Sequence, residues 1–440
     1  MRILYFIAFI LSNSLLFSQK ASIGDALSLE ECLKIANKKN FDIAITNYQM
    51  KSAGAEVTRA FGSYLPSVNF NSNYTRNETA RPFYDKDGKL TVSKDSYTMN
   101  AGASLNIFDG FKREYQYSSA ANNFDAAVLT KEQTIADVNL NVYKLYIAVV
   151  FNYQSIKIQQ ENLDQGKVEL DRIESLYKAG SIAIGDIYAQ ESDLGTREIN
   201  LINSIRDLAV SKSNLLNYIG LSPTLNVEFL ESSLPIEISD TDIEKFNTEI
   251  SLFRNQLDKA LEYRADFEAS KLSIESAENS ISFAKAGYYP TISASAGWSF
   301  YNYTIENIGD NSGSNFRVSM NLPVFQNFTV NSNVQSSKLS HLQSQVNHER
   351  LKQNILTSIN TLFLNLDSYQ KQIAISKKSL QSAEQNYASA KSRFENGTAS
   401  ITDVIQANTL LLTSKIDKIN STYSYIQTQK EILHGVGKLD

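Results

Sequence analysis

The sequence predicts a mixed, mostly α fold built from two internal repeats, each joining long antiparallel coiled-coil helices to a β-hairpin. Three observations carry this prediction. Residues 111–177 form a 67-residue run with no proline and one interior glycine, Gly166. Shifting the chain by 217 positions lays a second long run, residues 329–394, over the first, with Phe108 on Phe325, Gly180 on Gly397 and Asp186 on Asp403. Ahead of each long run the hydrophobic period switches from helical to two, the spacing of a half-buried strand.

Upstream the shift is 224, matching Leu33 with Leu257, Asp42 with Asp266, Tyr64 with Tyr288 and Pro66 with Pro290. The seven-residue difference falls between Tyr74 and Phe108, in a loop where a duplicated chain tolerates a change of length. Within the first long run Val128, Ile135, Val142, Val149, Ile156, Leu163, Leu170 and Tyr177 recur every seven residues. That repeat keeps one seam against a partner helix. A companion row mixes Phe124, Val138, Leu145 and Ile173 with Lys131, Asn152, Gln159 and Gly166, and so predicts a wall with a wet side. At about 1.5 Å per residue such a helix is roughly 100 Å long, far more than a compact globule needs.

All six prolines of the 440-residue chain lie outside the long runs, and glycine is scarce at 18. The single cysteine, Cys32, excludes an intrachain disulfide. A net charge of −5 without a basic cluster speaks against nucleic acid as a partner. At the N-terminus Arg2 precedes an apolar core over residues 3–11, which predicts a secretory signal over 1–18 with cleavage after Ser18. No cysteine lies near that cut, so no lipid anchor is expected. Beyond it there is no uninterrupted apolar run of about 18 residues, so a mature chain that crosses a membrane does so with strands.

Taken in order, the first repeat (19–219) opens with a helix over 27–63, where Ser28 and Glu31 have the spacing of a capping box. A β-hairpin over 67–108 follows. In it Val68, Phe70, Ser72 and Tyr74 oppose Asn69, Asn71 and Asn73, and Tyr97, Met99, Ala101, Ala103, Leu105 and Ile107 oppose Thr98, Asn100, Gly102, Ser104 and Asn106. The long helix 111–177, a tip and a helix over 186–219 complete the repeat. Residues 220–249, with Pro223 and Pro235, form an inter-repeat equatorial segment. The second repeat (250–440) runs through a helix over 250–286, a hairpin over 291–325, the long helix 329–394, a tip and a helix over 401–434. Its strands set Ile292, Ala294, Ala296, Trp298 and Phe300 against serines and Gly297, then Phe316, Val318, Met320, Leu322 and Val324 against Arg317, Ser319 and Asn321. Pro66, Pro290 and Pro323 are read as the helix-to-strand breaks.

Strands of about ten residues cross a bilayer at a tilt, and aromatics such as Tyr64, Tyr74, Phe108, Tyr288, Tyr289 and Phe325 gather at their ends. Two surface hairpins covering a soluble core would alternate in the same way; the signal sequence favours the membrane. Four strands cannot close a membrane barrel, because an open edge in lipid leaves unpaired backbone groups at several kcal/mol each. The barrel must be shared between chains, and two, three or four copies all satisfy that requirement.

His341, His348 and His434 lack partners at metal-site spacing, and no phosphate-cradling loop, zinc-hydrolase motif or nucleophile elbow is present. Neither an enzyme nor a metal or cofactor is expected. The candidate sites are the two tips. Gly180 and Gly397 end the long helices as left-handed caps do. Asp186 and Asp403 open the next helices, where the positive dipole end favours a carboxylate. They serve there as caps or, where tips converge on an oligomer axis, as rings that narrow a pore and favour cations.

The signal sequence, the duplicated helix-strand-strand-helix order, the Phe108-Asp109-Gly110 strand exit and the tips Tyr177-Lys178-Ala179-Gly180 and Ser400-Ile401-Thr402-Asp403-Val404 together resemble the TolC family of outer-membrane efflux proteins. The resemblance covers the whole mature chain. It implies a homotrimer whose twelve strands close a β-barrel among outer-membrane lipid, continued by an α-barrel through the periplasm. It also implies a periplasmic adaptor (membrane fusion) protein at the tips, an inner-membrane RND or ABC pump behind it, and export of small molecules (drugs, metals) or proteins. By that resemblance Asp186, Asp403, Phe394 and Gln406 belong to the pore constriction, and Gly180, Ser181, Gly397 and Thr398 to the tips that the adaptor touches. Phe394, Ala399 and Gln406 stand where the best-known member has tyrosine, arginine and aspartate. A tip closed by apolar packing around Phe394, with less negative charge, is therefore expected. A secreted coiled-coil structural or adhesive protein without a pore is the alternative.

Overall fold

A computed structural model describes residues 26–85 and 87–439; the expected signal sequence lies outside them. In chain order the elements are β1 (Ala26–Leu27), α1 (Leu29–Lys39), α2 (Phe41–Gly62), β2 (Ser67–Tyr84), β3 (Leu90–Phe108), α3 (Lys112–Lys178), α4 (Ile184–Tyr218), β4 (Glu228–Phe229), α5 (Asp240–Glu249), α6 (Ser251–Asn255), α7 (Ala265–Lys285), β5 (Thr291–Asn302), β6 (Ser312–Asn321), α8 (Thr329–Glu395) and α9 (Ile401–Gly435). The fold is mostly helical. Both long helices, α3 and α8, have 67 residues, and their return helices, α4 and α9, have 35.

The wall is two short helices deep for every long one. Each return helix ends against the start of a short upper helix, and the sequence marks both junctions. Asn40 interrupts the helix expected over 27–63. Its backbone is extended, its Oδ1 accepts from the N–H groups of Asp42 (2.8 Å) and Ile43 (3.2 Å), and its Nδ2 donates to the Tyr218 carbonyl (2.8 Å). One side chain thus satisfies the free donors of α2 and an end carbonyl of α4. In the second repeat the helix expected over 250–286 is also broken. α6 gives way to a 3₁₀ turn over Leu257–Tyr263 before α7. Arg264 at that break holds Asp266 at 2.6 Å and donates to the Gly435 carbonyl at the end of α9 (3.0 Å).

α3 is the spine: it packs against α2 and α7 in its sheet-side half and against α4 and α9 in its tip-side half, while α8 packs on α7 and α9. One window of α3 is apolar enough by composition to cross a membrane, beyond what counting uninterrupted apolar residues detected. That apolarity belongs to packing, since Val138, Val142, Tyr146, Val149 and Val150 are all buried there. Around them closes a belt. β1 pairs in parallel with β4, Tyr146 donates its hydroxyl to the Leu230 carbonyl (2.7 Å), and Phe229, Phe246, Ile250 and Phe253 fill the same core. The equatorial segment is therefore docked across the middle of the wall. Cys32 is fully buried beneath it, where burial, helped by Glu31, pushes its thiol up to about 12.

The tip-side part of the mixed row on α3 is enclosed, while Lys131 and Asn152 stay half-buried. Gln159 and Gly166 are buried, and at Gly166 α4 reaches across with two polar side chains. Gln190 Nε2 donates to the Gly166 carbonyl (3.2 Å); Arg197 Nη1 donates to the Asn162 carbonyl (2.7 Å) while its Nε holds Asp193 (2.6 Å). Gly166 makes the approach feasible, since a Cβ there would meet Arg197 Cδ at 3.0 Å. Asn408 of α9 closes the cluster by donating to Asn162 Oδ1 (2.8 Å).

Candidate channel surfaces: the sheet and the tips

The four long strands form one antiparallel sheet in the order β2-β3-β5-β6. The first hairpin is longer than the ten-residue expectation, with strands of 18 and 19 residues against 12 and 10 in the second. Pro66 and Pro290 sit just before β2 and β5, where helix gives way to strand. Pro323 is corrected: it follows β6 and so marks a strand-to-helix passage, where its missing N–H interrupts no ladder.

Residues opposite one another in a sheet share a face, so the register sorts every side chain. Val68, Ala103, Ala296 and Phe316 form one row, and Phe70, Ala101 and Trp298 the next. This face is bare: Val68 is 78% and Phe316 74% exposed, and Trp298 stacks on Phe300 with ring centroids 6.1 Å apart. The opposite face carries the rows Asn69-Gly102-Gly297-Asn315 and Ser67-Ser104-Ser295-Arg317. A continuous exposed apolar face demands a partner or lipid. The outer edges of β2 and β6 are unpaired in the single chain, which in lipid is untenable.

Where β3 enters α3 and β6 enters α8, the chain passes through left-handed residues: Gly110 and Phe111 (φ 73° and 65°), then Asn327 and Phe328 (φ 49° and 60°). A bulky residue there is strained. An edge-on aromatic pair accompanies each turn, Phe108 with Phe111 at 5.4 Å and Phe325 with Phe328 at 5.6 Å. Arg113 secures the first exit by donating to the carbonyls of Asn106 (2.7 Å) and Ile107 (3.2 Å) and pairing with Asp109 at 3.3 Å. The Phe108-Asp109-Gly110 exit was legible in the sequence; the left-handed Phe111, Asn327 and Phe328 were not, and their signal was the recurrence of phenylalanine at 108 and 325 and at 111 and 328 under the 217-residue shift.

At the far end the two tips share one chemistry. Gly180 and Gly397 adopt φ of 75° and 70°, and the N–H groups of Ser181 and Thr398 donate back to the carbonyls of Leu176 and Arg393, each at 2.9 Å. All four residues are exposed. Asp186 Oδ2 accepts from the Ala183 N–H (3.2 Å), and Asp403 Oδ2 accepts from both the N–H and the hydroxyl of Ser400 (2.9 Å each). The backbone N–H of Ser400, then its hydroxyl, hold the Asp403 carboxyl below the usual carboxylate range. Both aspartates therefore cap helices. Asp403 is exposed beside Gln406 on one flank of α9, whereas Asp186 is half-buried. Phe394 takes part in the apolar packing expected of it: it is buried against Ile173, Ile401 and Val404, with Leu176 and Ile182 of the first tip around it. Ion pairs that periodicity does not signal join the tips side by side, Arg172 with Glu395 and Lys391 with Glu169 (3.3 Å).

The histidines are engaged in ordinary packing. His348 stacks on Phe267 and bonds Ser270 (2.6 Å), His434 bonds Asp137 (2.6 Å), and His341 meets Gln345 (3.0 Å). Among the described residues no cluster of His, Cys, Asp and Glu has the arrangement of a metal site.

Comparison with known proteins adds an independent line. The model of the outer membrane efflux protein family matches residues 32–221 and 256–437. The outer membrane protein TolC of Escherichia coli (strain K12) is 22% identical over 439 residues, covering 96% of this chain and 84% of that protein. The cation efflux system protein CusC of E. coli O157:H7 is 21% identical over 404 residues, covering 88% and 81%. Among solved structures, the Campylobacter jejuni CmeC outer membrane channel aligns with a TM-score of 0.78 at 18% identity, covering 93% of this chain and 85% of that one. The open-state Neisseria gonorrhoeae MtrE outer membrane channel aligns at 0.74 and 15% identity, covering 94% and 89%.

Proposed function

The chain belongs to the outer membrane efflux protein family, and from that premise we propose that it works as a homotrimer whose twelve strands close one barrel across the outer membrane. Membership makes it an outer-membrane efflux channel, and the family is one of channels rather than enzymes. The observation that carries the finer reading is the sheet: one face exposed and apolar, the other polar, and two edges, β2 and β6, unpaired within the single chain. Joining β6 of one copy to β2 of the next satisfies the edge groups that lipid cannot. The helical wall then continues the duct through the periplasm as an α-barrel.

The tips end that duct. Tyr177, Ile184 and Tyr188 of the first tip are exposed, at 40, 47 and 62%, and with Gly180, Ser181, Gly397 and Thr398 they form the surface for a periplasmic adaptor protein. An inner-membrane RND or ABC pump, acting through that adaptor, supplies the energy. The cargo is small molecules, in line with a relative named for cation efflux, or proteins. Asp403 and Gln406 line the constriction, with Phe394 packed behind them.

Purified protein in detergent is expected to run as a heat-modifiable trimer and to open channels in planar bilayers; a water-soluble monomer without channels overturns the proposal. In such recordings Asp403→Asn is expected to lower cation preference, and unchanged conductance and selectivity remove Asp403 from the pore.

A further inference from the structure

We propose that Arg317 sets the ion preference of the barrel interior, making that section a passage for anions and for cargo bearing carboxylate, phosphate or sulfate groups; this rests on the homotrimer reading above, in which the polar sheet face lines the lumen. Along that face, residues 67–75 of β2, 96–106 of β3 and all of β5 and β6 present serine, threonine, asparagine, glycine and Tyr301. Arg317 is the one formal charge among them, and the same face gains a second cation, Lys94, only beyond residue 96 towards the hairpin turn. An arginine guanidinium is a cation with five donors and no acceptor.

Three features of its setting leave that charge uncompensated. No carboxylate stands among these residues of the face. The acidic groups nearest along the chain, Glu306 and Asp310, lie in the loop between β5 and β6 rather than on a strand; on the neighbouring strand β3 and its exit, Asp95 shares the opposite face with Arg76 and Asp109 pairs with Arg113. The row that holds Arg317 is otherwise serine, with Ser295 directly opposite and Ser67 and Ser104 bonded hydroxyl to hydroxyl at 2.8 Å. Short neighbours leave the long side chain free to extend from the wall. In a homotrimer the residue recurs three times around the axis at one height, which is the arrangement by which rings of basic side chains select anions.

The local potential is measurable at the cross-strand neighbour. Ser295→Cys in the reconstituted full-length trimer is modified with an anionic and a cationic methanethiosulfonate reagent, and the ratio of the two rates is read. The native Cys32 is fully buried and does not compete. Arg317→Gln is expected to lower the anionic-to-cationic ratio about three-fold, from a unit charge roughly 6 Å away screened at physiological salt. Arg317→Glu is expected to lower it about ten-fold by the same relation. An unchanged ratio in both variants overturns the assignment and leaves the homotrimer standing. If Ser295→Cys is inert to both reagents while Ala296→Cys on the opposite face reacts, the polar face is not the lumen, and the homotrimer reading falls with the inference.

Discussion

The two helical hairpins that make up the tip-side wall have identical lengths and the same turns, yet they are filled differently. In the first, Arg197 and Gln190 of α4 bond carbonyls of α3 across Gly166. Under the 217-residue shift the counterparts of Asn162, Gly166, Gln190, Asp193 and Arg197 are Ser379, Ala383, Ala407, Leu410 and Ser414. Four of those, Ser379, Ala383, Leu410 and Ser414, line an open groove of about 490 Å³ between α8 and α9. The tips differ in the same sense: Phe394 is 8% exposed, while its counterpart Tyr177 is 40% exposed. Duplication has kept what backbone hydrogen bonding sets, helix length and turn type, and let the interior diverge. Several side-chain sets fill one volume acceptably, whereas a turn that needs a left-handed residue accepts few.

The largest expected effect falls on the tip. Phe394→Ala removes a buried ring and should cost about 3–5 kcal/mol, while Tyr177→Ala should cost less than about 1 kcal/mol. Hydrogen exchange at the two tips reads this directly, and equal losses would erase the distinction between them. Next comes the clamp. Arg197→Ala leaves Asp193 largely buried without its partner and should cost about 3 kcal/mol, against less than about 0.5 kcal/mol for Ser414→Ala. Denaturant titration in detergent separates these outcomes, and a Ser414→Ala loss as large as that of Arg197→Ala would show that the second hairpin also hangs on this position.

The shared chemistry gives smaller and more even effects. Gly180→Ala and Gly397→Ala both force a Cβ into left-handed backbone, and each should lower stability by about 1–2 kcal/mol; neither site has a neighbour within reach of the new atom, so a large difference between them breaks the symmetry claimed for the turns. Smallest is the acid response of the second tip. Because the folded Asp403 carboxyl titrates below its ordinary range, its capping is complete at neutral pH and is lost as pH falls through the folded value. Exchange protection over residues 400–404 should fade below about pH 4, and Asp403→Asn should flatten that dependence.

Much of the architecture is legible in the sequence. Alternation in the strands sorted Val68, Phe70, Trp298 and Phe316 onto one face and the asparagines onto the other. The tips were legible through Gly180, Gly397 and the aspartates that follow them. Less visible were the breaks at Asn40 and Arg264. A helical period continues past both, and only the carbonyls of Tyr218 and Gly435, 178 and 171 residues away along the chain, make the interruption favourable.

The two long helices, the period of each segment and the tip turns follow from the sequence without any partner, because each is a matter of neighbours within a few positions. Tertiary structure alone decided that Gln159 and Gly166 are enclosed, that Phe394 packs inward, and that Arg172 meets Glu395 to join the tips. Those outcomes depend on which helix arrives opposite which, and a seven-residue period is indifferent to its partner until the chains of side groups meet.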